Sequence, residues 1–433
     1  MSLIFAIGLV ISFIGIFIDF LKRKWITVES AINFDFIDWI KIMINNEKTL
    51  NKLSLPLLLI SLPLTVMTVL LPMYTSALGL TPLQVTGLFS VFSLGLVIMR
   101  LLIGYIADKA GRKPVFVLGL IFYTLSYFIY SNAKMISLIY IGRGLQAIAS
   151  AFISISSYSM IADLNMKNNA HNFGKVDSYS EKGGLLGIIL CFFVLNTPKL
   201  VDGWSVLFMI CAIASIIAVI YSIIILNETK PILNKDFLNI SLPTKKNNII
   251  IFNLIISIFT SIVSAIFVLY LQSRFNSNLL QIGVAFLLPT VIIAFASPKL
   301  GRISDNIGSK KILVTSLSTL IFILLILPYT DNVYLYGVVW TVYCIAVTLI
   351  GITLNGVYVE DIAEEIRGTA IGKLTMGANI GTVIGPIIGG LAFQEISIQA
   401  PFFISSIGFA ILLMLYMKYN KIRSQRRIKY RSY

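Results

Sequence analysis

Charged side chains embedded in apolar stretches are the groups best placed to do chemistry in this sequence. Arg143 lies inside one such stretch, about 12 Å from its start at the helical rise of 1.5 Å per residue. Gln146, Ser150, Ser154 and Ser157 follow at helical spacing and share its face. In the next stretch Asp177 and Glu181 stand four residues apart, hence on one face, with Lys182 beside them. A charge held in hydrocarbon costs about 2.5–3.5 kcal/mol on insertion scales, so such groups usually face a polar cavity. A carboxylate partly withdrawn from water holds a proton more readily, the property a proton carrier needs. Glu181 is therefore a candidate coupling residue and Asp177 its relay. Two structural alternatives stand beside this reading. Glu181 and Lys182 could form an ion pair, and the small polar groups could simply bond neighbouring helices.

The stretches 54–75 and 248–271 have no acid or base in their interiors. Ser61, Thr65, Thr68 and Tyr74 on the first, and Asn253, Ser257, Ser261 and Ser264 on the second, offer mostly hydroxyls. With Arg143, Gln146, Ser150, Lys182, Asn355 and Asn379 they are the candidate cavity lining. Few charges among hydroxyls suit a small, largely neutral or amphiphilic substrate. Nothing calls for a cofactor or metal: His171 is the single histidine, and Cys191, Cys211 and Cys344 sit in apolar runs without ligand spacing. No Gly-x-x-x-x-Gly-Lys-Ser/Thr loop is present to cradle a nucleotide.

These groups need helices across a membrane. Hydrophobic residues make up 57% of the 433 and charged residues 12%, half the quarter usual in soluble domains. One soluble core cannot hide that much apolar surface. Thirteen apolar stretches, from 2–21 to 399–418, are long enough to read as membrane helices. Of the 34 Lys and Arg, 28 fall in alternate connections or the tail, and three (Lys134, Lys199, Arg274) in the opposite ones. The basic connections belong in the cytoplasm, which puts the N-terminus outside and the C-terminus inside. The net charge of +15 is then topological and implies no nucleic acid. The tail from Lys421 to Arg431 can also touch anionic lipid, or be merely solvated. Residues 2–21 lack the flanks of a cleaved signal and read as a retained anchor, followed by an interfacial helix over 29–45; alternatively, Met43 begins the working chain.

An internal repeat organises the remainder. Gly104-Tyr-Ile-Ala-Asp108 recurs as Gly301-Arg-Ile-Ser-Asp305, and Ser61 and Tyr74 recur as Ser257 and Tyr270. Asp163, Gly183 and Gly187 recur as Asp361, Gly381 and Gly385. The offsets stay between 196 and 198. The expected order is an N-terminal helix and linker (1–52), a six-helix half (53–226), a cytoplasmic loop (227–247), a second half (248–418) and a basic tail (419–433). Repeated halves of this kind suggest a transporter whose site lies near the bilayer midplane at the repeat interface.

Gly104-Tyr-Ile-Ala-Asp108-Lys109-Ala-Gly111-Arg112-Lys113 resembles the signature loop between the second and third helices of major facilitator transporters. The second copy has Asn306 and Ser309 where that pattern has bases. Arg143-Gly-Leu-Gln146-Ala147 is similar to the family's fourth-helix element. The pattern of its drug antiporters, Gly-x-x-x-Gly-Pro-x-x-Gly-Gly, occurs at 381–390, on the eleventh helix instead of the fifth. Packing alone would explain those glycines equally well. The resemblance spans about 53–418. It implies an all-α polytopic membrane protein of two six-helix repeats plus one extra N-terminal membrane helix. It also implies a cytoplasmic gate of Gly104, Asp108, Gly111, Arg112 and Asp163, in which Arg112 would meet Asp163 and Asp108 would cap a neighbouring helix. A weaker copy would use Gly301, Asp305, Lys310, Asp361 and Arg367. The resulting expectation is a monomeric, non-enzymatic secondary transporter of the cell membrane, exporting a small organic molecule against protons. Uptake of a nutrient or organic anion is the alternative, and a membrane enzyme or lipid-handling protein the remote one.

Overall fold

The computed structural model describes residues 49–163, 169–194, 200–229, 247–359 and 367–431. The expected N-terminal membrane helix, the interfacial helix over 29–45, most of the central loop and Asp361 lie outside them. The described chain is helical, without strands. Its α-helices are α1 (Thr49–Lys52), α2 (Ser54–Ile60), α3 (Leu64–Ala77), α4 (Pro82–Ala110), α5 (Arg112–Asn132), α6 (Ile136–Asp163) and α7 (Asn169–Val194). They continue with α8 (Leu200–Ile225), α9 (Asn247–Phe275), α10 (Leu279–Ile307), α11 (Ser309–Ile326), α12 (Val333–Val359), α13 (Arg367–Leu391) and α14 (Ala400–Arg431).

Among the described residues nine helices are long and apolar enough to cross a membrane. In hydrocarbon only a helix satisfies every backbone N–H and C=O within its own segment. The expected spans 54–75, 174–196 and 279–298 differ from this set for local reasons. Ser61–Pro63 interrupts the first, because proline disfavours helix at the residue before it. There the Leu64 N–H turns back onto the Ser61 carbonyl at 3.0 Å. The second is α7, whose first half carries Asp177, Glu181 and Lys182. The third survives as a shorter apolar segment, Leu279–Ile293 of α10. Large apolar side chains such as Phe128, Ile224, Phe322 and Met414 are exposed, as lipid-facing groups must be.

The described helices group into two compact units. The first takes its residues from Met1–Val66 and Leu102–Pro231, the second from Met67–Leu101 and Ile232–Tyr433. In the first, α5 packs on α6 and α8 through Tyr127, Tyr130, Trp204 and Phe208, all fully buried. The Trp204 indole N–H donates to the Tyr130 carbonyl at 2.7 Å. In the second, Phe267 and Tyr270 of α9 meet Tyr336 and Trp340 of α12, and Tyr270 also meets Phe402 of α14.

Each unit contains a very close glycine crossing, and the two correspond. A Cβ on Gly183 or Gly187 of α7 would fall on the carbonyl oxygens of Leu58 and Leu62. A Cβ on Gly381 or Gly385 of α13 would fall on those of Leu254 and Ile258. Leu58 and Leu254, like Leu62 and Ile258, are 196 residues apart, so the repeat extends to its contacts. In the second unit Gly390 of α13 also lies against Leu83 and Thr86 of α4. The short π-helix Ala392–Ile396 follows, and its Gln394 side chain accepts from the Leu83 N–H at 3.4 Å.

Candidate functional site

Arg143 projects from α6 and is 6% exposed. Its Nη1 donates to Gln146 Oε1 at 2.7 Å, one helical turn away. The same oxygen accepts from the Tyr130 hydroxyl at 3.2 Å. Gln146 thus gathers two donors, one cationic and one phenolic, and Trp204 fixes the Tyr130 backbone from behind. Tyr123 and Tyr127 are further neighbours of the guanidinium, and Ser150 lies near Tyr123. A hydrogen bond to a charged group stabilises by roughly 1.5–3 kcal/mol, and losing one partner in a buried site costs more. The arrangement holds a positive charge inside an apolar bundle in one defined orientation. Sequence spacing brings Arg143, Gln146 and Ser150 to one face; the tyrosines and Trp204 come from other helices, and no spacing rule points to them.

On α7, Asp177, Glu181 and Lys182 are exposed. Asp177 accepts a hydrogen bond from the Tyr158 hydroxyl of α6. The Lys182 ammonium lies 5.6 Å from the centre of the Tyr179 ring, within cation–π range. Ser61, at the break between α2 and α3, is buried against Gly183. Tyr74 is buried, Thr68 is exposed, and the Thr65 side chain lies outside the described ones.

In the second unit the hydroxyls mostly serve the α9–α13 crossing. Ser261 Oγ donates to the Ser257 carbonyl at 2.6 Å and approaches the Gly381 carbonyl at 3.3 Å. Asn253 Nδ2 donates to the Leu374 carbonyl at 3.0 Å. Ser264 and Asn355 are exposed. Asn379, half-buried on α13, has a buried Nδ2 without a partner among the described residues.

The signature loop is a sharp turn between α4 and α5. Gly111 takes φ +101°, a left-handed conformation natural only to glycine. Its counterpart Gly308, between α10 and α11, takes φ +90°. Arg112 is 9% exposed, and its backbone N–H donates to Glu228 Oε1 at 2.8 Å. The Lys113 N–H donates to Glu228 Oε2 at 3.2 Å. A carboxylate at a helix N-terminus satisfies orphan N–H groups and meets the positive end of the helix dipole. Among the described side chains, the acid at the start of α5 is Glu228, just beyond α8. Its only sequence signal is a carboxylate directly after an apolar run. The backbones of Gly104, Asp108, Asp163, Gly301, Asp305 and Arg367 are helical, and their side chains lie outside the described ones. Lys310 is exposed in the first turn of α11.

Comparison with known proteins agrees with this architecture. The family model described as Major Facilitator Superfamily matches residues 53–359 and 249–431. The quinolone resistance protein NorA of Staphylococcus aureus (strain MSSA476) is 24% identical over 368 residues, covering 82% of this chain and 93% of its own. An uncharacterised transporter of Methanocaldococcus jannaschii is 23% identical, covering 79% and 90%. Among solved structures, the nucleoside transporter NupG superposes with TM-score 0.64 at 17% identity, over 86% of this chain and 99% of its own. A bacterial homologue of the human lysosomal transporter Spinster, inward-facing and unoccupied, gives 0.67 at 15% identity, over 85% and 95%. The all-helical multi-pass fold, the repeated signature turn and the match of the family model along the chain lead to one assignment: the protein belongs to the Major Facilitator Superfamily of membrane transporters.

Proposed function

We propose that the protein is a secondary active transporter of the cell membrane that exports a small organic molecule by alternating access, with protons as the coupling ion. The observation that carries this reading is the cluster of Arg143, Gln146 and Tyr130, a buried cation oriented by one neutral acceptor that the Tyr130 hydroxyl also holds, within an apolar bundle. Such a group is costly in a membrane and marks a substrate or ion path. The quinolone resistance relatives support export over uptake. Glu181 and Asp177 are the proposed proton carriers, and Thr68, Tyr74, Ser150, Asn355 and Asn379 contribute to the substrate cavity. The signature turn gates the cytoplasmic side, with the N-terminus outside and the C-terminus within.

The test is transport by the purified protein in proteoliposomes, screened with amphiphilic organic molecules under an imposed proton gradient. Gradient-driven movement of substrate against the proton flux supports export. Movement in the same direction as protons, above all of an organic anion, would favour uptake through Arg143 and Lys182. Transport indifferent to the gradient would overturn proton coupling.

A further inference from the structure

A groove of about 420 Å³ opens on the outer face of the first unit, between α5 and α8. Lys113, Pro114, Val117, Leu118, Ile121 and Ile223 line it. Five of the six are apolar, and Leu118, Ile121 and Ile223 are exposed, so this wall faces lipid hydrocarbon. The exception stands at one end. Lys113 is the second residue of the span Arg112–Asn132, and Ile223 lies two residues before the end of the span Gly203–Ile225. Its ammonium is thus at the depth where both spans leave the hydrocarbon.

The ammonium is already oriented. Lys113 Nζ donates to the Ile223 carbonyl at 2.8 Å, one of the carbonyls left over in the last turn of α8. A cation there also meets the negative end of the α8 dipole. An ammonium has three donors, so two remain for another acceptor. Glu228 accepts from the N–H groups of Arg112 and Lys113 with its two oxygens, so its charge faces the N-terminus of α5. An oriented cation at the head of an open apolar groove about 10 Å long, from Pro114 to Ile121, matches a molecule with an anionic head and a hydrocarbon tail.

We propose that this groove binds one anionic glycerophospholipid, with an acyl chain along Val117, Leu118, Ile121 and Ile223 and the phosphate on Lys113. The charge bias of the loops puts this end at the cytoplasmic leaflet, where anionic lipids concentrate. A bound lipid would bridge the start of α5 and the end of α8, the two elements that Glu228 also joins. The site is thereby coupled to the signature turn without belonging to the substrate path.

The experiment is native mass spectrometry of the full chain in detergent, titrated with dioleoyl phosphatidylglycerol. The first lipid should bind at least fivefold more weakly to Lys113→Gln and to Ile121→Trp, which fills the groove and keeps the charge. Lys113→Arg should retain it, and Lys134→Gln, at the other end of α5, should leave it unchanged. Dioleoyl phosphatidylcholine should compete at least fivefold less well. Undiminished binding to Ile121→Trp would overturn the proposal even if Lys113→Gln failed to fold. So would equal competition by phosphatidylcholine, or saturation by inorganic phosphate or glycerol phosphate without an acyl chain. A second copy of the chain or another protein retained at the groove in place of lipid would overturn it as well.

Discussion

Glu228 joins the end of α8 to the start of α5 by accepting the Arg112 N–H at 2.8 Å, across 116 residues of sequence. Its other oxygen takes the Lys113 N–H, so one carboxylate satisfies two of the four orphan donors of α5. The same carboxylate explains why Gly111 must lack a side chain. A Cβ there would sit 2.5 Å from Glu228 Oε2, in addition to the strain of φ +101°. The signature turn is thus shaped from outside the loop as much as from within.

Glu228→Ala should lower the stability of the detergent-purified protein by about 1–2 kcal/mol, the worth of a partly exposed charged cap. Gly111→Ala should cost at least as much. The two losses should not add, because removing the carboxylate relieves the contact that the new methyl makes. Apparent melting temperatures of the single and double variants check this. Strict additivity would show that Glu228 and Gly111 act independently.

The glycine crossings separate from glycines that merely occupy helices. Gly187→Ala and Gly385→Ala would each drive a methyl into a backbone carbonyl, of Leu62 and Ile258 respectively. Overpacking of this kind costs about 1–3 kcal/mol or more when backbone must move. A methyl at Gly144 or Gly351 would meet nothing within 4 Å among the described residues. Alanine there should be neutral or stabilising by about 0.5–1 kcal/mol from helix propensity. Thermal stability across the four variants distinguishes close crossing from a general dislike of alanine.

Much of this architecture is legible in the sequence, because length and hydropathy alone mark membrane helices and offsets of 196–198 mark the repeat. The structure extends the repeat to residues that look unrelated. Gly79 and Asn276, 197 apart, both adopt positive φ. Thr81 with Gln84, and Asn278 with Gln281, then build the same reciprocal cap two residues later. Gly79 and Asn276, and Thr81 and Asn278, meet one backbone requirement with different side chains, so identity matching finds only the Gln84–Gln281 pair. The surroundings of Arg143 are illegible for another reason. Tyr130 and Trp204 reach it through the packing of α5 and α8, and periodicity within one helix carries no information about its neighbours.

Arg143 and Gln146 offer a test that separates a site from a scaffold. Gln146→Leu removes an acceptor from both the guanidinium and the Tyr130 hydroxyl and should cost about 2–4 kcal/mol. Adding Arg143→Met removes the buried charge as well and should recover most of that stability. Transport should stay lost in the double variant, because the proposed function needs the charge itself. Recovery of transport together with stability would make the pair structural.

The proposed proton coupling places its carriers on α7. Glu181 and Asp177 share a face one turn apart, and both are exposed to whatever fills the space beside α7. Asp177 is held by the Tyr158 hydroxyl, whereas Lys182 lies over the Tyr179 ring. The repeat partner of Glu181 is the neutral Asn379, so a single carrier would be asymmetric between the halves. Glu181→Gln should abolish gradient-driven accumulation while substrate exchange continues, since exchange does not require the proton to leave. Asp177→Asn should weaken accumulation more mildly, as a relay would. Lys182→Met keeps the carboxylate and removes the cation nearest in sequence, and coupling should survive it. If Glu181 served only to balance Lys182, the double variant Glu181→Gln with Lys182→Met would recover full coupled transport. Measuring accumulation and exchange side by side in proteoliposomes decides between the two, because only a proton carrier makes accumulation fail while exchange persists in both the single and the double variant.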